Sequence, residues 1–140
     1  KDEDYLEMIA CSLRTLFELG VDAIKNKNAS SENFNKMKSS VSTKKSLEDK
    51  VKEIVEFVNN NKNRQFIANH LISLACTNVS YDTLRNIANP ERISTNSAES
   101  NLGAHKGTTN LSQQQIIDIA NSASAFLIFV EGIIGAADNF

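Results

Sequence analysis

The two cysteines are the residues of this chain whose side chains could do the most chemistry. Cys11 and Cys76 are the only cysteines among 140 residues. On a helical wheel both fall off the apolar face of their segment, whereas free cysteines are usually buried. This placement predicts a Cys11–Cys76 disulfide, which would close a loop of about 65 residues and contribute roughly 4 kcal/mol through the unfolded state. Two free thiols and an intermolecular bridge are the alternatives. A bridge would place the protein in an oxidising compartment.

The sequence contains no motif typical of a metal site or of an enzyme active site. His70 and His105 are the only histidines, and neither belongs to a His/Cys/Asp/Glu spacing typical of a zinc site. No glycine-rich phosphate loop or nucleophile elbow is present. Glu131 is the one charged residue in an apolar stretch of sequence. It shares its position on the helical wheel with Ser124 and Asp138, which indicates that Glu131 lies on a solvent-exposed strip of the helix. The sequence therefore predicts a protein that is not an enzyme and holds no cofactor or metal.

Three triplets match the N-glycosylation motif, with acceptors at Asn28, Asn78 and Asn110. All three lie in predicted connections between helices. Asparagine occurs 17 times in the sequence, so about three such triplets are expected by chance. The motifs are therefore candidate glycosylation sites and do not by themselves establish secretion.

Basic and polar residues supply the candidate contacts with a partner. A run of lysines lies between Lys36 and Lys52, diluted by Glu48 and Asp49. The net charge is −2 and the pI about 5.7, and no aromatic residue is interleaved with the run, so nucleic acid is not the expected partner. The residues proposed to contact a protein partner are Lys36, Lys38, Lys44, Lys45, Arg92, His105 and Lys106.

Apolar periodicity defines the elements that position these groups, and it is strongest in the C-terminal segment. After Ser112 apolar residues recur at helical spacing, and from Ala125 the opposite side is apolar as well. Such a helix has to be surrounded by others. The sequence thus predicts an all-α fold, a single domain over residues 1–140, built as a bundle of five or six helices around this hydrophobic C-terminal helix. Glu131 and two glycines interrupt the apolar run, so no transmembrane segment is predicted.

The remaining periodicity predicts a first helix over about residues 2–25 and a short helix capped by Ser80. Lys44 and Glu48 interrupt the stripe that begins at Phe34, which indicates a break around residues 42–46. One long bent helix over residues 31–59 is the alternative. The stretch from Ala88 to about Leu111 is polar and without period, and it is predicted to be a loop that contacts a partner.

Together these observations favour a secreted, non-enzymatic binding or effector protein that acts through protein–protein interaction, directed at a host or a cell surface. The processed-looking start at Lys1 and the expected disulfide support this interpretation. A second hypothesis is a carrier that holds a lipid or another hydrophobic small molecule in the helical core, beside small residues such as Gly132 and Gly135. A third is an intracellular helical regulator whose thiols stay reduced.

Overall fold

The computed structural model describes residues 2–74, 80–102 and 111–140, and all the regular structure in these ranges is helical. It has seven helices here, where the sequence predicted five or six. The additional helix lies in the segment that was predicted to be a loop. The helices are α1 (Asp2–Asn26), α2 (Glu32–Thr43), α3 (Leu47–Val58), α4 (Asn61–Ser73), α5 (Tyr81–Ile87), α6 (Pro90–Leu102) and α7 (Gln113–Gly135).

The C-terminal helix α7 is the centre of the bundle and packs against α1, α3, α4 and α6. It begins with a capping box: the Ser112 hydroxyl accepts from the Gln115 N–H, and the Gln115 side chain accepts from the Ser112 N–H. Phe126 and Ile133 have no exposed surface, and Val130 is 5% exposed. These three side chains lie in the core, as expected for the hydrophobic C-terminal helix around which the bundle was predicted to form.

By length and composition, α7 is also the one helix in the described ranges that could cross a lipid bilayer. Half of its most apolar stretch is buried inside the protein, and the core helix of a bundle passes the same test of length and composition. The absence of a transmembrane segment therefore stays a sequence-based prediction.

The interruption of the apolar stripe near residue 44 is a true break between two helices. Helix α2 ends at Thr43 and α3 begins at Leu47. Ser46 caps α3, since its hydroxyl accepts a hydrogen bond of 3.1 Å from the Asp49 N–H. The alternative of one long bent helix over residues 31–59 is wrong.

Helix α6 corrects the prediction of a loop from Ala88 to Leu111. The Asn89 side chain accepts from the Arg92 N–H at 3.1 Å, and Pro90 occupies the first helical position, a combination that starts helices. The buried face of α6 is largely serine, at positions 94, 97 and 100. Residues 103–110 of the predicted loop lie outside the described residues.

The serine face explains why hydrophobic periodicity missed α6. Each of these hydroxyls donates to the main-chain oxygen three residues earlier, with Ser97 bonding Ser94 and Ser100 bonding Ser97 at 2.6 Å. Because the helix itself satisfies the hydroxyls, serine is buried here without an unpaired donor. Helix α6 thus packs into the bundle with a stripe of small serine side chains, where the other helices use large apolar side chains.

Helix α4 begins earlier than its apolar residues indicated. The run of asparagines from Asn59 to Asn63 has the composition of a connection, yet α4 begins at Asn61. The Asn60 side chain accepts from the N–H groups of Lys62 and Asn63 at 3.0 and 3.2 Å. Asparagine is thus the N-cap of this helix, a position that it favours.

Candidate docking face on the first helix

Helix α1 has two apolar faces, and the inner one packs into the bundle. Phe17 is fully buried, and its ring lies 5.6 Å from the Phe126 ring, centroid to centroid. A Cβ placed on Gly20 would lie 2.6 Å from a ring atom of Phe126. The absence of a side chain at position 20 therefore allows α1 and α7 to approach closely.

The outer face of α1 is apolar but is not covered by the described residues. Tyr5 and Met8 are each 66% exposed, and Leu19 is 57% exposed. Partly buried residues continue this face toward the core, and together they form an open groove of about 330 Å³. The groove is lined by Tyr5, Met8, Ile9, Ser12, Leu13 and Leu16.

The spacing of the outer face is that of a helix-docking stripe. Its central line follows Tyr5, Ile9, Ser12, Leu16 and Leu19, with intervals that alternate between four and three residues. This is the heptad pattern of helices that pack along one another. Ser12 is the one polar residue in this line. Its hydroxyl donates to the Met8 carbonyl oxygen at 3.1 Å, so the helix itself satisfies the hydroxyl, and Ser12 differs from its neighbours in the line mainly by its smaller size.

The apolar periodicity of α1 predicted the helix but did not distinguish the outer apolar face from the inner one. The alternating spacing of four and three residues could have indicated the outer face. Tyr5, Met8 and Leu19 make the apolar part of the helix surface wider than one buried face requires. The other large apolar side chains exposed among the described residues are Ile72, Leu74 and Ile117, on α4, just after it and on α7. The outer face of α1 is therefore the place where three such side chains share one helix.

Helix α1 also carries a polar strip that contains carboxylates. Glu7, Glu18 and Asp22 project from the polar strip of α1, which also carries the exposed Cys11. The Arg14 Nε atom lies 4.0 Å from a Glu18 carboxylate oxygen, one turn away. Glu18 and Asp22 also line a small groove with the lysines at positions 45 and 50, at distances beyond ion pairing. Of these carboxylates, Asp22 is the one next to the outer stripe, because nine residues separate Glu7 from Leu16 and place it on the opposite side of the helix.

The residues proposed from the sequence as partner contacts do not form one surface. Lys36 is exposed and pairs with Glu32 at 3.4 Å, and the Lys38 ammonium group donates to the Lys27 carbonyl oxygen at 2.8 Å. The others that the structure describes are Lys44, which caps the C-terminus of α2, the exposed Lys45 after it, and Arg92 on α6. Both lysines of α2 thus have partners within the chain.

Arg92 lines a separate polar groove between α6 and α7, together with Asn96, Asp118, Asn121 and Ser122. The Asn96 amide donates to the Asp118 carbonyl oxygen and to the Ser122 hydroxyl. His105 and Lys106 lie outside the described residues. The structure therefore supports no single basic surface.

Only part of the cysteine and glycosylation predictions falls within the described residues. Cys11 is exposed on α1, as its wheel position predicted, while Cys76 lies outside those residues. The Cys11–Cys76 disulfide stays a prediction. Asn28 is exposed in the connection between α1 and α2, and Asn78 and Asn110 also lie outside.

The small residues of α7 accommodate neighbouring side chains of the protein. A Cβ on Gly132 would lie 2.4 Å from Ile67, and one on Gly135 would lie 1.9 Å from the His70 imidazole. The space that the carrier hypothesis assigned to a flat ligand at these two glycines is therefore filled by α4. The described residues contain no group of three His, Cys, Asp or Glu residues able to hold a metal ion.

Comparison with known proteins adds no relative to this picture. No protein-family model, curated protein or solved structure matches the chain. The functional argument therefore rests on the geometry of the outer face of α1.

Proposed function

We propose that this protein is a non-enzymatic binding module that docks an amphipathic helix of a protein partner along the outer face of α1. The observation that carries the proposal is the uncovered apolar groove from Tyr5 to Leu16, which the exposed Leu19 continues at heptad spacing. A contiguous exposed apolar patch is typical of an interaction site. Helices bind such grooves with side chains repeated every three or four residues.

A synthetic amphipathic peptide of about six turns, labelled with a fluorophore, tests the proposal directly. Fluorescence anisotropy should show binding to the wild-type protein. The triple variant Tyr5→Ser, Met8→Gln and Leu19→Gln should bind at least tenfold more weakly, because it loses the exposed apolar anchors. These positions are exposed, so the variant should keep its fold.

A matched control removes exposed apolar residues elsewhere. The variant Ile72→Gln, Leu74→Gln and Ile117→Gln loses three side chains that are 49–54% exposed but do not line the α1 groove. This control should bind the peptide as the wild type does. Equal affinity of the wild type and the α1 variant, or no binding by the wild type, would overturn the proposal.

We also propose that the protein acts outside the cell, as a secreted effector. This part is supported by the exposed position of Cys11 and by the exposed Asn28 in its glycosylation motif. Intact-mass measurement before and after reduction tests it, since an intramolecular disulfide adds the mass of two protons on reduction. An unchanged mass would instead favour an intracellular regulator with reduced thiols.

A further inference from the structure

We infer that the polar groove between α6 and α7 binds a free amino acid in its zwitterionic form. The groove has a volume of about 330 Å³, near the lower limit for sites that hold small molecules. The described residues that line it are all polar: Arg92, Asn96, Asp118, Asn121 and Ser122. None of them belongs to the outer face of α1, so this site is independent of the docking proposed above.

The two walls of the groove each present residues that lie one helical turn apart. Arg92 and Asn96 are four residues apart on α6, and Asp118 and Ser122 are four residues apart on α7. Residues at this spacing share one face of a helix. The Asn96 side chain joins the two walls, because its amide nitrogen donates to the Asp118 main-chain oxygen at 3.2 Å and to the Ser122 hydroxyl at 2.6 Å.

The buried part of the groove offers one acceptor and one donor to a ligand. Asn96 is 7% exposed and Ser122 is 3% exposed. The Asp118 main-chain oxygen can only accept, so the atom beside it is the Asn96 nitrogen, and the Asn96 oxygen lies on the other side of the amide. Among the described residues nothing donates to that oxygen, and the Ser122 hydroxyl accepts without donating. A molecule bound in the groove could supply both partners, which buried polar groups normally have.

Arg92 and Asp118 line the same groove with opposite charges and do not pair with each other. In the part of the chain that the structure describes, neither has an ion-pair partner within 4 Å. One Asp118 carboxylate oxygen accepts from the Gln114 side-chain amide at 3.0 Å, and this bond orients the carboxylate. A ligand ammonium group beside Asp118 and a ligand carboxylate beside Arg92 would each form charge-assisted hydrogen bonds.

The two opposite charges select a zwitterion over other small molecules. A simple anion would be attracted by Arg92 but repelled by Asp118, and a simple cation would meet the reverse. A free amino acid carries both charges on one carbon atom, whereas a sugar carries neither. Because the lining residues are polar, an apolar ligand side chain would leave their hydrogen-bonding groups unpaired. A small polar amino acid such as L-asparagine is therefore the suitable probe.

Titration of the ¹⁵N-labelled protein with L-asparagine, followed by NMR, tests the inference. The amide signals of α6 and α7 should shift, with a Kd of about 1 mM or tighter for a ligand of this size. Two capped analogues each remove one charge: N-acetyl-L-asparagine lacks the ammonium group, and L-asparagine amide lacks the carboxylate. Each analogue should bind roughly tenfold more weakly, because it loses one charged hydrogen bond and keeps the repulsive charge.

Two variants assign each ligand charge to one residue of the groove. Arg92→Gln should bind L-asparagine about tenfold more weakly, but it should bind the amide, which has no carboxylate, at least as tightly as the wild type does. Asp118→Asn should show the same loss for L-asparagine and none for N-acetyl-L-asparagine. Both positions are exposed, so the variants should stay folded. The matched control, Asp82→Asn with Arg85→Gln, removes the same two charges from exposed positions of α5 and should bind as the wild type does.

Hydrogen exchange gives a second readout, because a ligand that bridges α6 and α7 should slow the local opening of α6. At an L-asparagine concentration of ten times the Kd, the amide protons of α6 should exchange about tenfold more slowly. The Arg92→Gln variant should show a much smaller effect at the same concentration. A merely structural role of Arg92 would not make the exchange depend on the ligand.

Four results would overturn the inference. One is the absence of any shift in α6 and α7 at about 20 mM L-asparagine, well above the expected Kd. Binding of N-acetyl-L-asparagine as tight as that of L-asparagine would show a site for anions, and equal binding of the amide would show a site for cations. Equal binding of the neutral sugar trehalose would show that neither charge selects the ligand. Each result leaves the docking on α1 standing, because that proposal is tested with peptides and with other residues.

Discussion

Substitution of Gly20 by alanine tests the close packing of α1 on α7. The new Cβ would lie 2.6 Å from the Cε2 atom of Phe126 and 3.3 Å from a Val130 methyl group. The ring cannot swing away freely, because Phe126 is fully buried against Phe17. Overpacking of this kind costs about 1–3 kcal/mol. Alanine returns about 1 kcal/mol through its higher helix propensity, so Gly20→Ala should destabilise the protein by up to about 2 kcal/mol.

Removal of the Phe126 ring should reverse the sign of that effect. Phe126→Ala alone should cost roughly 3–5 kcal/mol, as large-to-small changes in a core do, and should leave a marginally stable protein partly unfolded. In this background the clash with the ring is gone, and the closest remaining contact is the 3.3 Å approach to the Val130 methyl group, so the propensity gain outweighs the crowding. Gly20→Ala should then stabilise the protein by about 1 kcal/mol, which gives a coupling of about 1–3 kcal/mol between the two positions.

Equilibrium urea unfolding of the four proteins measures the coupling. A constant concentration of a stabilising osmolyte keeps the Phe126→Ala chain folded without denaturant, and the circular dichroism signal of the helices reports the transition. If Gly20→Ala changes the free energy of unfolding by the same amount in both backgrounds, within about 0.5 kcal/mol, the register of α1 against α7 is refuted.

Three further predictions concern other parts of the chain. The pKa of Asp138 is lowered because the Ser30 N–H and hydroxyl donate to its carboxylate at 2.8 and 3.2 Å. The stability that the ionised carboxylate contributes is present above about pH 4 and is lost as the pH falls through the folded pKa. The melting temperature of the Asp138→Ala variant should therefore fall less steeply with acid than that of the wild type. Deletion of Pro90–Leu102 should reduce the helical signal and unfold the protein, in contrast to the removal of a surface loop, and an unchanged melting curve would argue against α6. Thiol titration of the denatured, unreduced chain should find no reactive sulfhydryl at Cys11 or Cys76, and two reactive thiols would exclude the bridge.

Apolar periodicity predicted the parts of the fold that large side chains hold together. The burial of Phe126 and Ile133 and the break before Leu47 follow from the positions of apolar residues alone. These features could be predicted because a long apolar helix has few stable environments in water other than the centre of a bundle.

Packing by small polar residues and the absence of packing on one face could not be predicted in this way. The buried serines of α6 are satisfied by their own helix, so their hydrophilic character says nothing about their location. On α1 the sequence shows a wide apolar arc, but only the structure shows which part of it α7 covers and which part, from Tyr5 to Leu19, stays exposed. The candidate site was missed for that reason.

The serine face of α6 gives the bundle an element that can open separately from the rest. Among the described side chains, Ile93 is the one large apolar group that α6 buries completely, so its detachment exposes far less apolar surface than that of α7. The free energy of a local opening follows the apolar surface that it exposes. Amide protons of α6 should therefore exchange with deuterium at a lower opening free energy than those of α7. The transient form would uncover the faces of α1, α3 and α7 against which α6 packs, which makes this the first partly unfolded state that a protease or a chaperone would meet.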